Sequence, residues 1–181
     1  MRDWNTRILL FSKEENDNRY LDNKSLIVRR GKFHTEFDLR FNSIEEGLEY
    51  VSSKGEIEEL CTFRQGERLP LNNSVEMRSG INYGFYSMDE EKYWLAHEIF
   101  EDFWKHYEGD RSTFFHNVVL LCVSMVHFQM NHEPIAIRLF GEARNGLTHF
   151  IEEAKSWKFS YPLDNGILNQ LRERAMILAD V

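Results

Sequence analysis

The chain has 181 residues, of which 42% are apolar and 29% charged, a balance that excludes a wholly disordered or collagen-like polypeptide. A chain of this size buries roughly 70% of its unfolded surface and can build its core without staples. Its 22 Lys and Arg against 30 Asp and Glu leave a net charge of −8, which opposes broad attachment to phosphate backbones, so nucleic acid is not an expected partner.

The acidity is uneven: residues 1–80 carry a net −2 and residues 81–181 a net −6. The basic run Arg29, Arg30 and Lys32 reads as a solvated strand edge, where charges discourage edge pairing. Cys61 and Cys122 stand alone, which suits a reducing compartment and two small buried hydrophobes. Residues 1–5 hold no apolar signal core, and the longest apolar stretch, 118–130, is interrupted by Ser124, His127 and Gln129. That stretch falls short of the roughly 20 residues a bilayer needs. The expectation is a soluble cytoplasmic protein with no membrane partner.

In chain order, residues 7–12 and 25–28 carry short apolar runs separated by a polar loop. Phe33, Phe37, Leu39 and Phe41 then follow the two-residue period of a half-buried strand, with Gly31 and Lys32 placed for a hairpin turn. Ser43 and Glu46 have capping-box spacing, Ile44, Leu48 and Val51 recur at helical intervals, and Gly55 supplies a stop. Residues 57–63 return as a strand. The order predicts a small α+β unit over residues 1–80, with a linker from about residue 64 to 84, where Pro70, Asn72, Asn73, Gly80 and Gly84 fall.

From Ser87 the pattern is helical. Ser87 and Glu90 read as a second capping box, and Tyr93, Ala96, Phe100, Phe103, Trp104 and Tyr107 share one arc. A second helix is predicted over 112–130 and a third from Pro134 through Ala136, Leu139, Phe140, Ala143 and Leu147. Asp164 caps a last helix bearing Ile167, Leu168, Leu171, Ala175 and Leu178. The fold class is therefore an α+β N-terminal unit followed by an all-α helical bundle over 81–181.

Six of the seven histidines lie between His97 and His149. His97, Glu101 and Trp104 stand at i, i+4 and i+7, on neighbouring directions of the first bundle helix, with Glu98 about 60° beyond Glu101. His116 and His127, almost three turns apart, share a face of the next helix. Antiparallel packing would bring His127 toward the part of the first helix that bears His97. Two imidazoles and a carboxylate suit a divalent metal such as zinc or iron, or an acid–base pair. Catalytic or metal-ligating roles thus fall on His97, Glu101 and His127, and ligand contacts on Glu98, Trp104 and His116. The metalloprotease pattern His-Glu-x-x-His fails, because position 101 is Glu. The structural alternative has His97 donating to Glu101 with Trp104 packed beside them, and His106, His132 and His149 as surface or capping residues.

The run Ala96, His97, Glu98, Glu101 and Trp104, with His127 as the later histidine, resembles the domain-of-unknown-function family 309 over about residues 93–147. The resemblance implies a compact all-helical domain and no settled activity. The family usually carries Gln-Gly-Leu-Ile-Gln where this chain has His116-Asn117-Val118-Val119-Leu120, so both glutamine amides are absent.

Two functions from different classes follow. One is a His/Glu pocket acting by bound metal or acid–base chemistry in the manner of a hydrolase. The other is a noncatalytic protein-interaction or ligand-binding module, in which the His/Glu/Trp cluster only fixes helix packing; exposed aromatics around Tyr93 and Trp94 would support it. The apolar helices and surplus of aromatics suggest a homodimer.

Overall fold

The structure, a computed structural model, describes residues 6–14, 17–24, 26–64 and 67–179. The sequence readings that touch residues 1–5, Ser25 and residues 65–66 lie outside these. The chain divides into two units, Met1–Glu67 and Arg68–Val181.

The first unit contains β1 (Thr6–Ser12), β2 (Ile27–Arg30), β3 (Thr35–Phe41), α1 (Ile44–Ser52) and β4 (Glu59–Arg64). The strands form one antiparallel sheet in the order β2-β3-β1-β4. Alternation sends Ile8 and Leu10 of β1 and Phe37, Leu39 and Phe41 of β3 to one face, where they pack with Tyr20 and with Val51 of α1. Ser43 caps α1 through the Glu46 N–H, as its spacing predicts, but the Glu46 carboxylate accepts from the Asn42 N–H and side chain. Gly47 lets α1 sit close on the sheet, since a Cβ there would stand 2.5 Å from Ile8 Cδ1.

The opposite face of the sheet carries charge. Register pairs Arg29 with Glu36 and sets Asp38 opposite Leu9. Arg29 is ion-paired to Glu36 and to Asp38 (2.9 Å), while Arg7 grips Asp38 at 2.7 Å. Arg29 is therefore not the solvated edge cation expected from its neighbours: it is only 2% exposed. The other two residues of that basic run, Arg30 and Lys32, are exposed. The difference is parity, because the two-residue period turns Arg29 toward the β3 carboxylates and Arg30 away from them.

The second unit contains α2 (Ser74–Asp89), α3 (Tyr93–His106), α4 (Gly109–Gln129), α5 (Glu133–Leu147), a short 3-10 turn (Glu152–Ser156) and α6 (Asn165–Ala179). Much of the stretch read as a linker is thus the helix α2, capped by the Asn73 side chain, which accepts from the Val75 and Glu76 N–H groups. Gly80 and Gly84, read as loop residues, lie one turn apart inside α2, where a Cβ would meet the rings of Phe103 and Phe100 at 2.9 and 2.5 Å. Their purpose is close helix packing. Ser87 caps nothing: it is buried in α2 and its hydroxyl donates to the Tyr83 carbonyl.

Helix α4 packs along both α3 and α5, and α2 packs on α3 and α6. Phe85, Phe100, Phe103, Phe114 and Phe115 are fully buried among them. The α2–α3 and α4–α5 turns share one geometry. Each ends its first helix on a residue with positive φ, Glu91 (58°) and Asn131 (61°), and returns the next N–H to the carbonyl five residues back, Lys92 to Ser87 and His132 to His127, both at 2.8 Å. Asp164 caps α6 as predicted, its carboxylate accepting from the Gly166 and Ile167 N–H groups.

Candidate functional site

Helices α3 and α4 form an antiparallel hairpin pinned at two levels. Near its closed end the rings of Trp104 and His116 lie 4.6 Å apart, and the Ser112 hydroxyl donates to the Trp104 carbonyl. At its open end the Gln129 amide donates to the Glu91 carbonyl at 2.8 Å. Along α3 the half-buried positions 94, 97, 101 and 104 follow one stripe, and along α4 the half-buried positions 116, 120, 123 and 127 follow another. The Trp104–His116 contact sets these stripes side by side.

Each candidate residue on that seam has its own neighbour. His97 stacks on Trp94, with ring centroids 4.5 Å apart and planes 21° from parallel, and its Nδ1 lies 3.9 Å from Glu98 Oε1. Glu101 pairs instead with Lys105, one turn on, at 3.0 Å. His127 turns to the α4–α5 connection, where its Nδ1 stands 3.3 Å from the Nδ1 of His132. Burial, with the charges of His132 and Arg138, holds the His127 imidazole below its usual value. Trp104 and His116 keep to each other. Starting from their contact, His97 lies seven residues back on α3 and His127 eleven residues on along α4, so the two differ by about 6 Å along the hairpin.

Among the described residues no three His, Cys, Asp or Glu side chains are grouped so as to hold a metal ion. The set His97, Glu101 and His127 is accordingly not brought together as a metal centre. Helical spacing placed these residues on the correct faces, but long side chains reach along their own helix as readily as across it, and Lys105 and His132 were nearer. Tyr93, whose exposure would have favoured the noncatalytic reading, is fully buried, its hydroxyl accepting from the Leu163 N–H, and Trp94 is half-buried.

Three participants went unread in the sequence. Asp102 accepts from the Leu69 N–H at 2.9 Å and ties the segment before α2 to α3. Glu91, buried in the α2–α3 turn, accepts from the Tyr161 hydroxyl at 2.5 Å. His132, read as a surface or capping residue, is exposed and stands at the N-cap position of α5, but its contact with His127 is the part the sequence does not show. The only signal for it lay in two histidines flanking a helix–turn–helix connection, a spacing no single helix face reveals.

The stretch from the second half of α2 to the middle of α5 fits a known family pattern, and its first three turns of α3 hold the Ala96, His97, Glu98, Glu101 and Trp104 run. Residues 81–139 match the Domain of unknown function (DUF309). The DUF309 match opens at Ile81, inside α2, earlier than the resemblance in the motif alone implied, and closes at Leu139 rather than at Leu147. It therefore takes in both positive-φ turns and the whole α3–α4 hairpin. No curated protein and no solved structure matches the chain. No helix among the described residues is long and apolar enough to cross a membrane.

Proposed function

We propose that the helical unit is a noncatalytic interaction module, in which the His/Glu/Trp row of the DUF309 segment is structural, with Trp104 meeting His116 across the α3–α4 seam. The observation that carries this reading is the pairing of the three candidate catalytic residues with three separate neighbours: His97 with Trp94, Glu101 with Lys105, and His127 with His132. A general acid–base site or metal centre needs such groups within reach of one reacting atom. Stacked rings and an i,i+4 ion pair instead add local stability to a helix and its seam. The partner is expected to bear basic groups, since residues 81–181 carry a net −6 and Glu98, Glu101, Asp102 and Glu108 are half-buried or exposed on and after α3.

The test is a His97→Ala, Glu101→Ala double variant of the untagged chain, purified without added metal. The expected result is a melting temperature several degrees lower, with metal content by elemental analysis equal to that of the wild type. A stoichiometric metal present in the wild type and lost from this variant would establish the His/Glu pocket instead.

A further inference from the structure

The α4–α5 connection holds its two histidines in a fixed relation. His127 stands in the last turn of α4 and His132 at the N-cap position of α5. Between them the Met130 N–H returns to Val126 and His127, the Asn131 N–H to Phe128, and the His132 N–H to His127, while the His132 carbonyl accepts from Ile135 and Ala136. One turn further on, the buried Ser124 hydroxyl donates to the Ala136 carbonyl at 3.0 Å and ties α5 to α4. Within this frame the imidazoles meet head-on. Their Nδ1 atoms stand 3.3 Å apart with ring centroids at 5.6 Å, so the N–H of one Nδ1 donates to the other Nδ1.

We propose that the His127–His132 contact is an acid-sensitive latch, which holds the first turn of α5 to the end of α4 and opens when both imidazoles are protonated. The donor and acceptor inventory of the ring carries the argument. A neutral pair keeps one proton between the facing nitrogens. A pair with one cation keeps it too, because an imidazolium donates to a neutral imidazole. With two cations, two N–H groups and two positive charges face each other, and the bond is gone. The helix adds to this, since a cation at the α5 N-cap stands at the positive end of the helix dipole. The surroundings favour an uncharged His127: burial, then the charges of His132 and Arg138, hold it below its ordinary value. Arg138 is itself paired with Glu142 at 2.5 Å, and Glu133 follows His132 in the first turn of α5. Across the seam α3 brings His97, with Glu98 3.9 Å from it, about 6 Å away along the hairpin. The segment beyond the 3-10 turn sets Phe159 and Tyr161 against Phe128, and α6 packs chiefly on α2. Because the folded chain takes up the His127 proton less readily than the unfolded chain, this contribution to stability is whole above the unfolded value of 6.5 and is lost as pH falls through and below it. The Ser124–Ala136 bond limits the loosening to residues 130–135, which include the exposed Ile135.

NMR titration of the histidine rings in the untagged full chain, from pH 8 to pH 5, tests the latch together with amide hydrogen exchange over the same range. His127 should titrate below the ordinary histidine value, and His132→Asn, which keeps a capping side chain at the start of α5, should move its midpoint upward. His149→Asn, at an exposed position outside the turn, should leave that midpoint in place. In the wild-type chain the protection factors of the His132, Ile135 and Ala136 amides should fall at least about threefold on acidification, the size expected of an exposed charge pair, while those of Ala143 and Leu147 hold. This second measurement needs no substitution, so it decides the matter even where a variant folds poorly. A His127 midpoint that His132→Asn does not move would overturn the proposal. So would turn amides equally protected at pH 8 and pH 5, or a loss of protection shared equally by Ala143 and Leu147.

Discussion

Arg29 faces two carboxylates on β3, and its surroundings treat them in opposite ways. Burial pushes Glu36 up to about 7, the Asp38 charge pushes the same way, and Arg29 only partly opposes them. Asp38 is buried too, but hydrogen bonds and charge from Arg7, joined by Arg29, hold it below the usual carboxylate value. The consequences for stability have opposite signs. Asp38 contributes stability that is present above its unfolded value of 3.8 and lost only in more acid solution. Glu36 contributes fully below its unfolded value of 4.5, and that contribution is lost as pH rises through about 7. Glu36→Gln should therefore remove a decline that the wild type suffers on the alkaline side. Urea denaturation should show the variant gaining on the wild type by up to about 3 kcal/mol between pH 5 and pH 8. A difference that stays flat across that range would mean that Glu36 is ionised throughout. None of this was legible in the sequence, where Arg29 stands in a basic run and its partners lie seven and nine residues away. Strand register is what joins them.

The elements themselves were more readable than their contacts. Apolar positions at three- and four-residue steps gave α3, α5 and α6, a run apolar on nearly every side gave α4, alternation gave β3 and a short apolar run gave β1, each a pattern that burial imposes on the sequence directly. Helix α2 hid because its packing face includes Gly80 and Gly84, residues whose usual meaning is a turn, while Val75, Tyr83 and Tyr86 are exposed. A related close approach joins α4 to α5. A Cβ on Gly146 would collide with the carboxamide of Asn117, which is buried and donates to the Thr113 carbonyl at 2.8 Å. Gly146→Ala should therefore destabilise the chain by about 1–3 kcal/mol, even though alanine is the better helix former. Truncating the obstacle in the same chain, with Asn117→Ala, should recover much of that loss and give a favourable coupling energy in a double-mutant cycle. Additive losses would show that Asn117 yields at no cost. The same principle explains the candidate site: the faces of His97, Glu101 and His127 followed from helical period, whereas their partners Trp94, Lys105 and His132 depended on where each side chain turned.

At the scale of the whole molecule the chain carries two separate sets of core residues. One gathers Ile8, Leu10, Tyr20, Phe37, Leu39, Phe41 and Val51 entirely within Met1–Glu67. The other joins Phe85, Phe100, Phe103 and Phe115 by ring contacts of 4.9–6.4 Å within Arg68–Val181. The second unit lies within the range of about 50–250 residues over which single domains fold, and the DUF309 match falls wholly inside it. Its closing contacts are internal as well: Leu69 to Asp102 at its start, Tyr161 to Glu91 and Leu163 to Tyr93 toward its end. A fragment beginning at Arg68 should accordingly keep a helical circular-dichroism spectrum and melt in one cooperative transition. A fragment that is unfolded, or that melts without cooperativity, would show that the helical unit draws stability from the sheet-bearing one.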